Sequence, residues 1–314
     1  MVNTPVLFET FVRVDYARQV WDAIKAAHPK KLYFYSNKGR AEKEGEVARN
    51  NEIRSWVKEV DWECEVHTWF REECVDVYTS LRGAISWLFE NEEEGIILED
   101  DAVPTPAFFD YCDQMIEKFR YDKRVWFVGA NNFRNANPSG YDYIFSKYTH
   151  IWGWAGWRDR WQAMPWDDLK IDEMINSGML RASYKTKAQV RGRIRQLKEV
   201  KDFLEKTKCW DYIMGIALEQ NNACAVYPKR HLVANVGMQG EHSNQKSGTV
   251  YAKINTEDQK YLISKEPPFM TPDLEFDYYN YCADFKEMTF KNWVGFFMKR
   301  YCPGLKKKIR KYFK

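Results

Sequence analysis

Residues Gly95-Ile96-Ile97-Leu98-Glu99-Asp100-Asp101-Ala102-Val103-Pro104 form a short apolar run that ends in three carboxylates and then a proline. Apolar runs this short, with β-branched residues and turn formers on both sides, read as buried strands. Three acidic side chains at the tip of a buried strand are costly unless something cationic meets them. A divalent metal with oxygen ligands, often shared with a phosphate, meets that need. The plainer alternative is a solvated acidic turn, and the surroundings of the triplet decide between the two.

Two other stretches could take part in chemistry. Asn235-Val236-Gly237-Met238-Gln239-Gly240-Glu241-His242 is a glycine-containing loop that ends in a histidine. Ile151 to Trp161 holds four tryptophans and two glycines in eleven residues, which predicts a poor regular core element. Glycine lets a backbone come close to something, and tryptophan faces suit sugar rings or cations. An aromatic clamp between sheet and helix is the alternative.

The elements that must position these residues alternate. Strands are expected at Pro5–Phe11, Leu32–Tyr35, Cys64–Phe70, the opening run and Val125–Val128. Helical spacing of apolar residues falls at Tyr16–Ala27, Ala48–Val60, Tyr78–Phe89 and, after a Thr105 N-cap and Pro106, at Phe108–Phe119. Strand and helix in alternation predict right-handed βαβ units and an α/β fold with a mostly parallel sheet flanked by helices. Ligands of such sheets sit at the carboxyl ends of the strands. Thr10 and Arg13, Ser36 and Asn37, Glu99 to Asp101, and Asn131 and Asn132 would then share one edge, which favours a site over a solvated turn. Neither a G-x-G-x-x-G after the first strand nor a G-K-[ST] loop occurs. Later in the chain, Phe133–Tyr148 reads as loop, Ala188–Lys208 as a basic helix, Trp210 onward as a helix and Ala223–Tyr227 as a strand.

The 314 residues, 45% apolar and 30% charged, describe a globular chain. A net charge of +3 is too small to argue for nucleic acid. Seven cysteines without a C-x-x-C pair argue against a disulfide framework and a structural zinc site, and for a reducing compartment. Met1-Val2-Asn3-Thr4-Pro5 leads straight into a strand-like run, so no signal peptide is expected. No run of 18 uncharged apolar residues is long enough to span a membrane.

Together these pieces resemble a GT-A-fold glycosyltransferase, in particular bacterial and viral nucleotide-diphospho-sugar transferases related to the N-acetylglucosaminyltransferase I family. The matching stretches are Pro5 to Arg13, Lys31 to Ser36, Glu94 to Asp101, His150 to Ala155 with Trp157-Arg158, Trp210-Asp211-Tyr212, and Asn235-Val236-Gly237 through His242. They run in order over about residues 5–245. The resemblance implies residues 1–132 as the nucleotide-sugar half of a GT-A domain and 133–265 as its acceptor and catalytic-base half, followed by a tail at 266–314.

The resemblance also implies roles. The donor is a nucleotide-diphospho-sugar, with UDP expected, and the acceptor is a glycan or a lipid-linked saccharide. The sugar moved is a hexosyl or N-acetylhexosaminyl group. Mn²⁺ or Mg²⁺ would stabilise charge on the departing diphosphate. Asp101 is the implied metal ligand, with His242 a candidate second contact. Asp100 would face the ribose and Glu99 the donor sugar. Thr10 and Arg13 would line the base and phosphate pocket. Asn37 stands where the family has an Asp that reads the base. Asp211, at a helix start, is the implied general base of a single displacement with inversion. Trp152, Trp154 and Trp157 are the acceptor-side candidates. One departure is Cys74-Val75-Asp76-Val77, where relatives carry an Asn-Leu-Gly-Cys-like segment.

Phe290 to Lys314 mixes aromatic and basic residues, as expected for a helical tail at an anionic membrane surface. The protein is expected to be cytoplasmic and peripheral at the inner face of the membrane. A nucleotidyltransferase and a non-catalytic carbohydrate-binding or scaffold protein on the same fold are the competing readings.

Overall fold

The computed structural model describes residues 1–133, 137, 139–204, 210–237 and 259–285. The first half alternates as its apolar spacing predicts: β1 (Val6–Thr10), α1 (Val14–Ala27), β2 (Lys31–Ser36), α2 (Glu46–Ser55), β3 (Glu65–Phe70), α3 (Val77–Asn91), β4 (Glu94–Glu99), β5 (Ala102–Pro104), α4 (Pro106–Phe119) and β6 (Val125–Gly129). The end of the predicted Ala48–Val60 helix tightens into a 3₁₀ turn at Trp56–Glu59. Asp76 caps α3 by accepting from the Thr79 N–H. Pro106 starts α4 as expected, but the buried Thr105 hydroxyl makes no capping bond and has no partner among the described residues.

The second half adds β7 (Tyr143–Ser146), β8 (Trp154–Trp157), α5 (Arg158–Gln162), α6 (Ile171–Asn176), α7 (Leu180–Ser183), α8 (Lys187–Leu204), α9 (Trp210–Gln220), β9 (Cys224–Pro228), β10 (Val233–Asn235) and α10 (Leu274–Phe285). Among the described residues the central sheet has eight strands in the order β3-β2-β1-β4-β8-β6-β9-β7. β3, β2, β1 and β4 pair in parallel, as do β6 and β9; β8 and β7 run against their neighbours. This is the expected α/β class with a mostly parallel sheet flanked by helices. A second, two-stranded sheet pairs β10 with β5 antiparallel.

The tryptophan stretch departs from expectation. Trp154 to Trp157 is a central strand, hydrogen-bonded between β4 and β6. The glycines that argued against regular structure make it possible. Gly153 enters the strand with φ +66°, and a Cβ there would lie 2.8 Å from Val233; a Cβ at Gly156 would lie 2.9 Å from the Trp154 ring. Trp154 and Trp157, 2% and 3% exposed, fill opposite faces of the sheet. Trp154 packs against Phe127, Trp161 and Trp210, and the Arg160 guanidinium sits over Trp157. Neither ring has a free face, so the expectation that they stack on an acceptor is corrected to a role in the core. Trp152 is half-buried beside Phe133.

β7, read from the sequence as loop, is an edge strand against β9. The basic helix is present as α8, but its Arg193 is not solvated. It is buried, paired with Glu219 at 2.6 Å, and Glu219 also accepts from Tyr184. Two apolar layers sandwich the sheet: α1, α2 and α4 cover one face, α3 and α9 the other. No described helix is long and apolar enough to cross a membrane. The Phe290–Lys314 tail lies outside the described residues.

Candidate active site

β1, β2 and β4 end together because they pair in parallel and in register: Thr10 with Ser36, and Glu9 with both Tyr35 and Glu99. Their carboxyl ends therefore present Glu9 and Thr10, Ser36 and Asn37, and the Glu99-Asp100-Asp101 triplet along one edge. Arg13, just beyond β1, answers the triplet. Its guanidinium forks onto Asp100, through Nη2 and Nε, and donates from Nη1 to Asp101 Oδ2 at 2.7 Å. Asp100 is 4% exposed, and the pairing with Arg13 is the charge-assisted, two-pronged geometry in which arginine is strongest. Both carboxylates raise the Arg13 pKa against the opposing effect of burial.

Among the described residues Arg13 is the one cation hydrogen-bonded to the triplet. Glu9, Glu99, Asp100 and Asp101 lie around it. Burial pushes Glu99 well above the ordinary carboxylate range, and the charges of Asp101 and Asp100 push it further while Arg13 opposes them. Glu9 is raised in the same way, by burial first and then by Glu99 and Asp100. Asp100 is raised by burial despite Arg13. Glu99 Oε1 and both carboxylate oxygens of Glu9 have no hydrogen-bond partner among the described residues.

The second half of the chain closes on the same point. β10 pairs with β5 directly after the triplet, and the Val236 N–H donates to the Asp101 carbonyl at 2.9 Å. Gly237 then passes so close that a Cβ would lie 2.0 Å from Asp101 Oδ2; here glycine is required by approach. The loop expected from Asn235 onward thus begins against the triplet, while His242 lies outside the described residues. Asp211 stands in the first turn of α9, whose Trp210 packs on Trp154 beside β4. Its charge adds to the raising of Glu99, which places it within electrostatic reach of the triplet.

The polar residues after β1 and β2 are differently engaged. The Thr10 hydroxyl donates to the Tyr35 carbonyl at 2.9 Å. Asn37 is 6% exposed, and its amide pairs with the Val75 backbone: Nδ2 donates to the Val75 carbonyl at 2.9 Å and Oδ1 accepts the Val75 N–H at 3.2 Å. Oδ1 also accepts the Lys38 N–H. The Cys74–Val77 segment, singled out as a departure, therefore occupies the amide expected to read a base. In this structure Asn37 presents no free edge to a nucleobase.

Three groups at the edge were not singled out from the sequence. Glu9 was legible as a charge inside an apolar strand, Val6-Leu7-Phe8-Glu9-Thr10. Arg54 donates to the carbonyls of Ser36, Asn37 and Arg71, tying the ends of β2 and β3, while Asn50 bonds the Phe11 and Asn37 carbonyls. Nothing in the local pattern of α2 marks these two.

Whether a divalent cation suits the triplet can be judged from the donors. They are hard carboxylate oxygens, one of them unpartnered, and the described residues contain no set of three such groups arranged as a complete cage. One or two carboxylates with the remaining ligands from substrate phosphate is the ordinary arrangement for Mg²⁺. The residues fit a cation shared with a diphosphate.

No protein-family model matches the chain, and no curated protein matches it. Among solved structures, similarity is found to a mannosyltransferase from Pyrobaculum calidifontis in complex with GDP-Man and Mn²⁺, at 13% identity over 69% of this chain and 74% of that one, TM-score 0.36. The glycosyltransferase GlyE of Streptococcus pneumoniae is similar at 14% identity over 77% of this chain and 57% of that one, TM-score 0.33. An apo UDP-glucose pyrophosphorylase is similar at 8% identity over 74% of this chain and 93% of that one, TM-score 0.34. Likeness at this level carries no argument about function, which rests on this chain's own residues.

Proposed function

We propose that the chain is an inverting glycosyltransferase that moves a sugar from a nucleotide-diphospho-sugar to a saccharide acceptor. The observation that supports this most is the crowding, at the carboxyl edge of the sheet, of the acid triplet and Glu9, with Arg13 the one cation hydrogen-bonded to the triplet among the described residues. A diphosphate donor brings the oxygens, and a divalent cation the charge, that such an edge lacks.

Asp101 would hold Mn²⁺ or Mg²⁺ together with the diphosphate, with His242 as a second candidate contact. The cation would neutralise charge developing on the departing phosphate. Arg13, already on Asp100 and Asp101, orients both carboxylates and offers a guanidinium to phosphate oxygens. Asp211, at the N-terminal turn of α9, would take the proton of the attacking acceptor hydroxyl. Glu99 faces the sugar, and Thr10 and Asn37 border the base. For Asn37 to read that base, its bonds to Val75 must open. On the acceptor side, Trp152 is the one of the three tryptophans with an exposed portion. The Phe290–Lys314 tail is proposed to hold the protein at an anionic inner membrane surface, near a lipid-linked acceptor.

The test is nucleotide release from a panel of sugar nucleotides with Mn²⁺ and candidate saccharide acceptors. Metal-dependent release, abolished by chelation, is expected. Pyrophosphate formed from a nucleoside triphosphate and a sugar phosphate would mark a nucleotidyltransferase instead. Binding without turnover would mark a carbohydrate-binding protein.

A further inference from the structure

Strand register brings one more polar side chain level with the triplet. Trp154 of β8 pairs with Ile97 of β4 on one side and with Gly129 of β6 on the other. Ile97 and Gly129 therefore stand at one level of the sheet. Two residues further along these co-directional strands come Glu99 and Asn131. A step of two returns a chain to the same face. Leu98 and Ala130, the intervening residues, both belong to the core on the opposite face, as that alternation requires. The same level runs on from Glu99 through Glu9 of β1 to Tyr35 of β2.

Asn131 is 0% exposed, and neither its amide oxygen nor its amide nitrogen has a partner among the described residues. Glu9, 3% exposed, has none on either oxygen, and Glu99 has none on Oε1. A buried polar atom left without a hydrogen bond forfeits its solvation and gains nothing in return. Three such side chains, two at the ends of strands and Asn131 two residues past the end of β6, fit a group that arrives with the substrate.

Their chemistry says which group. Ionised beside a bound cation, these carboxylates only accept, whereas an amide both accepts and donates. Adjacent hydroxyls of a pyranose supply O–H donors to the carboxylates and an oxygen to the amide N–H. An acetamido substituent offers a single N–H, and turns a carbonyl oxygen and a methyl group toward atoms that need donors.

We propose that Asn131, with Glu9 and Glu99, forms a sugar-ring subsite that selects a donor hexose with free hydroxyls over its acetamido counterpart. This rests on the reading of the edge as a nucleotide-sugar site. Asn131, Glu99 and, level with Glu99 on the neighbouring strand, Glu9 turn their unpartnered atoms to the ring.

Calorimetric titration of the full chain with UDP, UDP-glucose and UDP-N-acetylglucosamine, in the presence of Mn²⁺, tests it. The wild type is expected to bind UDP-glucose about ten-fold more tightly than UDP-N-acetylglucosamine, the size of one lost buried hydrogen bond. Asn131→Leu and the isosteric Glu9→Gln are each expected to erase that preference while leaving UDP affinity unchanged. Equal affinities in the wild type, or a preference that both variants retain, would overturn the proposal while the nucleotide-sugar reading stands. A wild type that binds neither these three nor any other member of the sugar-nucleotide panel overturns that reading and the subsite with it.

Discussion

Arg13 is the residue on which the charge balance of the edge turns. It meets Asp100, which is almost fully buried, and Asp101. Removing one partner of a buried pair leaves an uncompensated charge and costs more than the pair contributes. More than a third of the Arg13 side chain is exposed, so water screens part of the loss. Arg13→Ala is expected to lower unfolding stability by about 2 kcal/mol in urea titrations, and Asp100→Asn in the same chain to restore part of it. An unchanged midpoint in Arg13→Ala would show that the pair does not hold the edge. At this scale the sequence was legible where residue type limits chemistry: Arg13 meets the triplet through Asp100 and Asp101. It was not legible where a side chain's partner is a backbone group. Asn37 carries the functional groups to read a base, yet they are spent on Val75, and no local pattern announces a contact across 38 residues.

Among the elements, β8 shows what local propensity misses. Two glycines in four residues argue against a strand, but between β4 and β6 the hydrogen bonds come from neighbours and the tryptophans from either face of the core. Tertiary context decided the element. The parallel half was readable because its strands are short apolar runs separated by amphipathic helices. The edge strand β7 was not, because its apolar residues follow a turn-rich segment. Gly153 is the entry to β8, with φ +66° and no room for a Cβ beside Val233. Gly153→Ala is expected to cost about 1–3 kcal/mol, read as a lowered melting temperature. Since the same glycine lies against β10 and Leu98, that variant should also weaken donor binding. A variant as stable as the parent would mean that the left-handed turn is not needed to bring β8 into the sheet.

Over the whole molecule, the second half completes what the first half begins. β5 and β10 hold Val236 and Gly237 against Asp101, and α9 carries Asp211 in its first turn. At the far side, α10 is fixed to the end of β7 by Asp277, which accepts from the Ser146 hydroxyl and the Lys147 N–H. Burial pushes the Asp277 carboxyl from 3.8 up to about 7, against those hydrogen bonds. The folded chain thus keeps a proton that the unfolded chain releases above 3.8. The stabilisation from this group is full below that value, declines as pH rises and is gone once pH passes about 7. Melting curves across this range should show a decline in the wild type that is shallower in Asp277→Asn; parallel curves would contradict the assignment.

The carboxyl edge of the sheet is proposed to transfer a sugar with the help of a divalent cation. The decisive measurement is nucleotide release in the presence of Mn²⁺, donor and acceptor, for wild type, Asp101→Ala and Asp211→Asn, alongside donor binding. Metal-dependent release that Asp101→Ala abolishes is expected. Asp211→Asn should slow it by about 10²–10⁴-fold, the contribution of a general base, with donor binding retained. Release that proceeds unchanged without metal, or in both variants, would contradict it.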